Sequence, residues 1–261
     1  MAVVWITGAS SGIGEACARR YAAQGARLIL TSSSRDRLGP VAAACREAGS
    51  PDVFVLPCDL GDPSNIEATV RSAWDAFGGI DIVYCNAGIS QRTNVEDTSL
   101  EMIRQIMEID YFAPVAIAKG VLPKMLEAGG GHIAVTTSIA GRFGFPLRCG
   151  YSSAKFALYG FFETLRAEYA SKGIIVTIVC PGRVKTNISL RALDKGGKQH
   201  GRMDPGQAGG LDADKAAKRI VRAIARGRRE VLVGRGELIM VQIKRFFPGL
   251  CARLSQRIRP V

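Results

Sequence analysis

No run of apolar residues in this chain approaches the roughly 18 needed to cross a bilayer, so a spanning helix is not expected. Only two histidines are present, His132 and His200, and none of the seven cysteines forms a Cys-x-x-Cys pair, which leaves no candidate metal site. The cysteines (Cys17, Cys45, Cys58, Cys85, Cys149, Cys180, Cys251) are odd in number and mostly end or flank apolar runs. That placement suits small, reduced core residues better than a disulfide framework. No basic leader precedes the strand-like start Ala2–Thr7, so a signal peptide is not expected and the chain is placed in the cytoplasm. Internal repeats and low-complexity linkers are also missing, which argues against a second domain. Acidic residues are scarce at one end. Residues 215–261 carry 13 Lys and Arg against Glu230 and Glu237, a net +11 of the total +12. No recognition motif accompanies this basicity, and a nucleic-acid partner is not expected.

What the 261 residues do contain is an ordinary globular balance, 47% hydrophobic and 22% charged, which excludes wholesale disorder. Short β-rich runs at 2–7, 26–32, 52–58, 80–85, 131–137, 174–180 and 230–233 alternate with helical patterns at 12–24, 36–48, 63–77, 99–127, 151–171 and 213–226. Near-continuous apolar strands with a helix between each pair predict an α/β fold, a Rossmann-type doubly wound parallel sheet with helices on both faces. Residues 1–234 are expected to form this single domain and 235–261 a basic amphipathic extension. The irregular, glycine-rich stretch 182–212 is longer than a simple connection needs, and 187–212 within it is read as a substrate loop.

Two local patterns carry chemistry. The first strand-to-helix turn reads Thr7-Gly8-Ala9-Ser10-Ser11-Gly12-Ile13-Gly14. Glycines there allow a tight turn and a close approach of backbone to a pyrophosphate, whose charge meets the positive end of the following helix. Further on, Tyr151 and Lys155 lie four apart in a helical pattern and project from one face. An ammonium beside a phenol favours the phenolate, which brings a tyrosine into range as a proton donor or acceptor. Ser138 could offer a second hydrogen bond to a substrate oxygen. A buried tyrosine with a snorkelling lysine would read the same way, so the pair needs its context.

That context resembles the short-chain dehydrogenases/reductases over roughly residues 2–233. The spacing Gly8-x-x-x-Gly12-x-Gly14 is followed in order by Asp59-Leu60, Asn86-Ala87-Gly88, Ser138, Tyr151-x-x-x-Lys155, and Pro181-Gly182 with Thr186. The resemblance implies that Gly8, Ser10, Ile13 and their neighbours hold the pyrophosphate, Asp59 and Leu60 the adenine, and Asn86 and Ala87 the adenosine side. It implies that Lys155 also binds the nicotinamide ribose and that Val184 and Thr186 orient the carboxamide. Ser138 would polarise the substrate carbonyl and Tyr151 would protonate its oxygen as hydride arrives, so that the developing alkoxide is stabilised where it forms. One position departs from the family: Asp110 stands where an Asn is usual, and an ionised carboxylate there would favour a charged Lys155 and oppose a tyrosinate.

Cofactor choice is read at the tip of the second strand. An acid there would bind both ribose hydroxyls of NAD, yet Ser32, Ser33 and Ser34 are followed by Arg35 and Arg37. Hydroxyls and positive charge suit a 2′-phosphate, so NADP(H) is favoured, with NAD(H) the alternative; Ser11 stands where many NADP-using relatives carry a basic residue. In the tail, residues 237–259 join apolar runs to basic ones, with Leu250, Leu254 and Ile258 on one helical stripe and Arg253 and Arg257 on another. This suits either peripheral contact with an anionic membrane or packing over the substrate loop or a subunit partner. The expected enzyme reduces a hydrophobic carbonyl, or oxidises the corresponding alcohol, with Phe143, Phe145, Leu147 and Cys149 as candidate pocket or packing residues. The resemblance implies a homodimer or homotetramer through the 99–127 and 151–171 helices. The alternative is a catalytically weak dinucleotide-binding module that regulates a partner or a membrane contact.

Overall fold

Seven runs of aliphatic and β-branched residues form strands: β1 (Val3–Thr7), β2 (Arg27–Thr31), β3 (Val53–Val55), β4 (Ile82–Cys85), β5 (Gly131–Thr136), β6 (Ile174–Pro181) and β7 (Glu230–Val233). The computed structural model describes residues 1–258. All strand pairings are parallel, in the order β3-β2-β1-β4-β5-β6-β7. Strands covered on both sides need apolar side chains on both, and every residue of β1 is buried. Val4, Ile6, Leu28, Leu30 and Val179 pack one sheet face under α1 (Gly12–Ala22), α2 (Arg35–Glu47) and α8 (Ala213–Ala225). Trp5, Ile29, Val83, Ile133 and Val176 pack the other under α3 (Ile66–Asp75), α5 (Ala113–Glu127) and α6 (Cys149–Tyr169). The chain reverses its direction of winding between β1 and β4, and the crevice at the carboxyl ends of these strands is where such sheets bind ligands.

Three features depart from the expected pattern. The helix expected over 99–127 is two helices, α4 (Leu100–Met107) and α5, joined by a π-helical turn at Glu108–Phe112. The wider turn brings Asp110 fully inside the protein. The 182–212 stretch is built rather than loose: Leu193 pairs with both Gln91 and Gln199, Val184 pairs with Leu211, and α7 (Pro205–Ala208) precedes α8 (Ala213–Ala225). The tail forms α9 (Ile239–Phe246) and α10 (Pro248–Ser255), and the expected stripe is split, with Leu250 exposed and Ile258 packed. Pro248-Gly249 breaks the helix and turns the chain so that Cys251, not Leu250, is buried against Ile139, Phe143 and Cys180. Ile258 packs in the same cluster beyond the end of the helix, and residues 259–261 of the expected extension lie outside the described residues. Glu237 fastens this tail to the chain after β6, accepting from the amides of Arg183 (2.7 Å) and Arg235 (3.1 Å).

Candidate active site

The first turn is shaped by steric need. Gly8 and Gly12 take φ of +66° and +59°, a region that disfavours side chains. A Cβ on Gly14 would collide with the Gly8 carbonyl oxygen and come within 2.7 Å of Asn86 Nδ2. The cradle therefore needs bare backbone, and it opens at the N-terminus of α1, where amides and the helix dipole favour an anion. Thr7 Oγ1 accepts from the amides of Asn86 (3.1 Å) and Ala87 (3.2 Å), so the ends of β1 and β4 are tied together beneath it. This cradle fits the pyrophosphate of a dinucleotide.

One continuous cleft joins the cradle to the tyrosine. Of the residues read from the sequence, Gly8, Ser10, Ser11, Gly12, Ile13, Ser32, Ser33, Asp59, Leu60, Asn86, Ala87, Gly88, Ser138, Tyr151, Pro181, Gly182, Val184 and Thr186 line it. Gly14, Ser34, Arg35, Asp110 and Lys155 do not, and the last two are buried behind the wall. Ser34 caps α2 by accepting from the Arg37 amide, and Arg35 starts that helix on its exposed side; Arg37, one turn on, reaches the wall instead. Phe145 lines the cleft, whereas Phe143 is buried in the cluster beneath the tail, and neither Leu147 nor Cys149 belongs to the lining.

Tyr151 sits in the first turn of α6 and is nearly buried. Its position is set by Gln91, which is fully buried: the Gln91 Oε1 accepts from the Tyr151 amide at 3.2 Å, while its Nε2 donates to Thr93 and Thr98 at 3.0 Å each. Gly150 leaves room for this carbonyl, since a Cβ there would lie 2.8 Å from it. Ser138 lies two residues past β5, and its Oγ accepts from the Ala140 amide at 3.1 Å, which fixes the hydroxyl at the cleft wall. Behind Tyr151, the Lys155 Nζ lies 5.6 Å from the tyrosine ring centroid and donates to the Thr136 carbonyl at 3.1 Å. Asp110 Oδ2 is 3.0 Å from the same nitrogen, and Asp110 Oδ1 accepts from the Ile89 amide at 2.7 Å. The Oδ2 atom has no aligned hydrogen bond among the described residues, so the contact is chiefly one of charge. Burial pushes the Asp110 carboxyl up, opposed by the Lys155 ammonium and the Ile89 amide.

The substrate side holds a constellation that sequence reasoning missed. Asp204, in the loop before α7, accepts from Arg92 NH2 at 2.6 Å and from Arg148 NH2 at 2.8 Å, with all three side chains nearly buried. Arg92 also donates to Ser90 Oγ at 2.9 Å, and Arg148 lies over the Phe145 ring at 4.4 Å. Burial and the neighbouring Arg92 push Arg148 down to about 10. Two guanidiniums share one carboxylate, and the cluster pins the loop over the cleft. Main-chain bonds reinforce it, from Arg92 N to Leu193 O and from Leu193 N to Ser90 O, both 2.8 Å. Gln207 closes the floor by donating to the Val184 carbonyl and, at 3.2 Å, to Thr186 Oγ1. Arg92 and Asp204 are 112 residues apart, and no local pattern links them.

Comparison with known proteins places this geometry. The family model described as short chain dehydrogenase matches residues 2–195. Dehydrogenase/reductase SDR family member 7B of Mus musculus is 37% identical over 257 residues, covering 97% of this chain and 80% of that protein. Among solved structures, a short-chain dehydrogenase from Sphingobium yanoikuyae in complex with NADPH superposes with a TM-score of 0.80 at 26% identity, covering 99% and 97% of the two chains. A short chain dehydrogenase/reductase from Burkholderia phymatum in complex with NAD shares the fold, with a TM-score of 0.83 at 23% identity over 100% and 96%.

Proposed function

Because the chain belongs to the short-chain dehydrogenase/reductase family, we propose that it transfers a hydride between NADP(H) and the carbonyl carbon of a hydrophobic substrate, with Tyr151 as general acid and base. The observation that carries this reading is that Ser138 and Tyr151, with the buried Lys155 behind the tyrosine, line the same cleft as the glycine cradle. When bound, the nicotinamide supplies the hydride in reduction and accepts it in oxidation. Ser138 Oγ donates to the substrate oxygen and holds the carbonyl in place. Tyr151 OH gives its proton to that oxygen as negative charge develops, and the Lys155 ammonium stabilises the phenolate left behind. In oxidation the same groups run in reverse, with Tyr151 taking the alcohol proton. Near-burial of Tyr151 and Lys155 keeps water from competing for these interactions.

The preference for NADP(H) is supported by the absence of an acid at the tip of β2 and by Arg37, whose NH2 reaches Ser33 Oγ at 3.2 Å on the cleft wall. The solved neighbours bind either NADPH or NAD, so the preference rests on these residues. A hydrophobic substrate is supported by Ile89, Ile139, Phe145 and Ile188 along the substrate side. Exposed Leu100, Phe112 and Phe156 on α4, the π turn and α6 support pairing into a homodimer or homotetramer.

The tail supports a peripheral membrane contact. Phe246, Phe247 and Leu250 are exposed side by side with Lys244, Arg245 and Arg253. Apolar side chains flanked by cations suit the surface of an anionic bilayer, and among the described residues no helix is long and apolar enough to cross one. Phosphatidylserine vesicles at low salt should carry the protein upward in a flotation gradient, and replacing Phe246 and Phe247 with Ser should release it.

The reaction is tested by titrating NADPH and NADH against nicotinamide fluorescence and then adding hydrophobic ketones and aldehydes. Tyr151→Phe should bind NADPH as the parent does while turnover falls by roughly 10²- to 10⁴-fold. A variant with turnover equal to the parent would overturn the assignment of Tyr151. Tight NADPH binding with no turnover by the parent on any carbonyl would favour the dinucleotide-binding module.

A further inference from the structure

The substrate loop carries an arginine whose surroundings the reaction does not explain. Arg191, half-buried, extends from the loop to the glycine turn, where its NH1 donates to Ser11 Oγ at 3.3 Å. On the same cleft, Arg37 donates to Ser33 Oγ at 3.2 Å. Both guanidiniums line the cleft, as do the hydroxyls of Ser11, Ser32 and Ser33. Neither arginine forms a salt bridge among the described residues, and the two are close enough that the charge of Arg37 opposes that of Arg191, in addition to burial. Two neighbouring cations whose side-chain partners among the described residues are neutral hydroxyls form a site that an anion would stabilise.

The position of the site selects the anion. The pyrophosphate cradle lies at Gly8–Gly14, whereas Ser32 and Ser33 stand at the tip of β2, where the adenosine ribose is read. A 2′-phosphate carries a dianionic group with several acceptor oxygens to that tip. We propose that Arg191 is the second arm of a 2′-phosphate clamp, acting with Arg37, and that this arm makes the substrate loop part of the cofactor site. Ser11 leaves space in the glycine turn that Arg191 fills from a segment 180 residues away. Ala192, the next residue, is fully buried, and Leu193 is held to Ser90 and Arg92 by main-chain bonds, so the guanidinium is delivered by an anchored backbone. Binding of NADP(H) then secures the same loop that bears Asp204, which couples cofactor choice to closure of the substrate side. This inference rests on the NADP(H) reading above.

The test uses the full chain and four ligands: NADPH, NADH, 2′,5′-ADP and 5′-AMP. The last two separate the 2′-phosphate from the pyrophosphate and the nicotinamide. Removing one charge-assisted contact should weaken NADPH and 2′,5′-ADP roughly ten- to hundredfold in Arg191→Ala, with NADH and 5′-AMP within about twofold of the parent. Arg191→Lys should restore part of the loss, since it returns the charge without the fork. In the parent, 2′,5′-ADP should slow tryptic cleavage at Lys195 and Lys198, and Arg191→Ala should abolish that protection. Equal weakening of NADPH and NADH would overturn the clamp and assign Arg191 to the pyrophosphate or to loop packing. A parent that prefers NADPH, paired with an Arg191→Ala variant of unchanged preference, would overturn the role of Arg191 alone. A parent that binds NADH more tightly than NADPH would overturn the NADP(H) reading and the clamp together.

Discussion

Replacing Asp204 with Asn removes the one carboxylate that two buried guanidiniums share. Its oxygens lie 2.6 Å from Arg92 NH2 and 2.8 Å from Arg148 NH2, and the three side chains retain 3%, 2% and 12% of their exposure. Leaving a buried charge without its partner typically costs about 3–5 kcal/mol. Two features channel that cost into the loop rather than the whole domain: Asp204 lies outside the sheet, and lifting the loop lets both arginines hydrate. The free energy that holds the loop closed should therefore fall by an amount of this order. Amides that close it, such as Leu193 bonded to Ser90 and Leu211 bonded to Arg183, should exchange with deuterium at least about a hundredfold faster, at roughly 1.4 kcal/mol per factor of ten. Ile133 in the central strand β5 serves as the control and should exchange as in the parent. Replacing Arg92, Arg148 and Asp204 together with Met, Met and Leu should restore much of the protection, because no charge is then stranded. Exchange at Leu193 and Leu211 within about twofold of the parent in Asp204→Asn would refute the loop-pinning role.

Two other perturbations read different parts of the molecule. Asp110→Asn removes the carboxylate 3.0 Å from Lys155 Nζ while keeping its shape. Reduction should persist with a displaced pH–rate profile, and a profile that superposes on the parent's would deny the carboxylate any electrostatic part in catalysis. His132 is buried and its Nε2 lies 2.8 Å from Thr177 Oγ1, and burial pushes its pKa down from 6.5 to about 4. A depressed histidine leaves stability complete above 6.5 and erodes it as pH falls toward 4, because the unfolded chain takes up the proton first; the total is on the order of 3 kcal/mol. Urea midpoints measured at pH 7.5 and pH 5 should fall less for His132→Gln than for the parent, and equal drops would remove His132 as the cause.

The sheet and most of the site were legible in the chain because their causes are local. Near-continuous apolar runs marked the strands, closely spaced glycines marked a turn that excludes side chains, and a four-residue spacing placed Tyr151 and Lys155 on one helix face. Ser34 and Arg35 were read as cofactor residues because the strand tip can be located but the entry angle of α2 cannot; the cap consumes Ser34 and turns Arg35 outward. The tail stripe is split for a related reason. Amphipathic spacing states that a face exists, and the break at Pro248-Gly249 decides which face is packed.

Pattern and spacing alone thus determined an α/β sheet, a glycine turn at residues 8–14 that leaves its backbone bare and the placing of Tyr151 and Lys155 on one helix face, since each depends on neighbours within a turn or two of backbone. Tertiary structure decided the rest. The π turn that buries Asp110 against Lys155, the seating of Tyr151 on Gln91, the sharing of Asp204 by Arg92 and Arg148, and the reach of Arg191 to Ser11 all join segments 20 to 180 residues apart. Such contacts depend on how layers close over one another, and the free energy that selects them belongs to the assembled core and its buried charges.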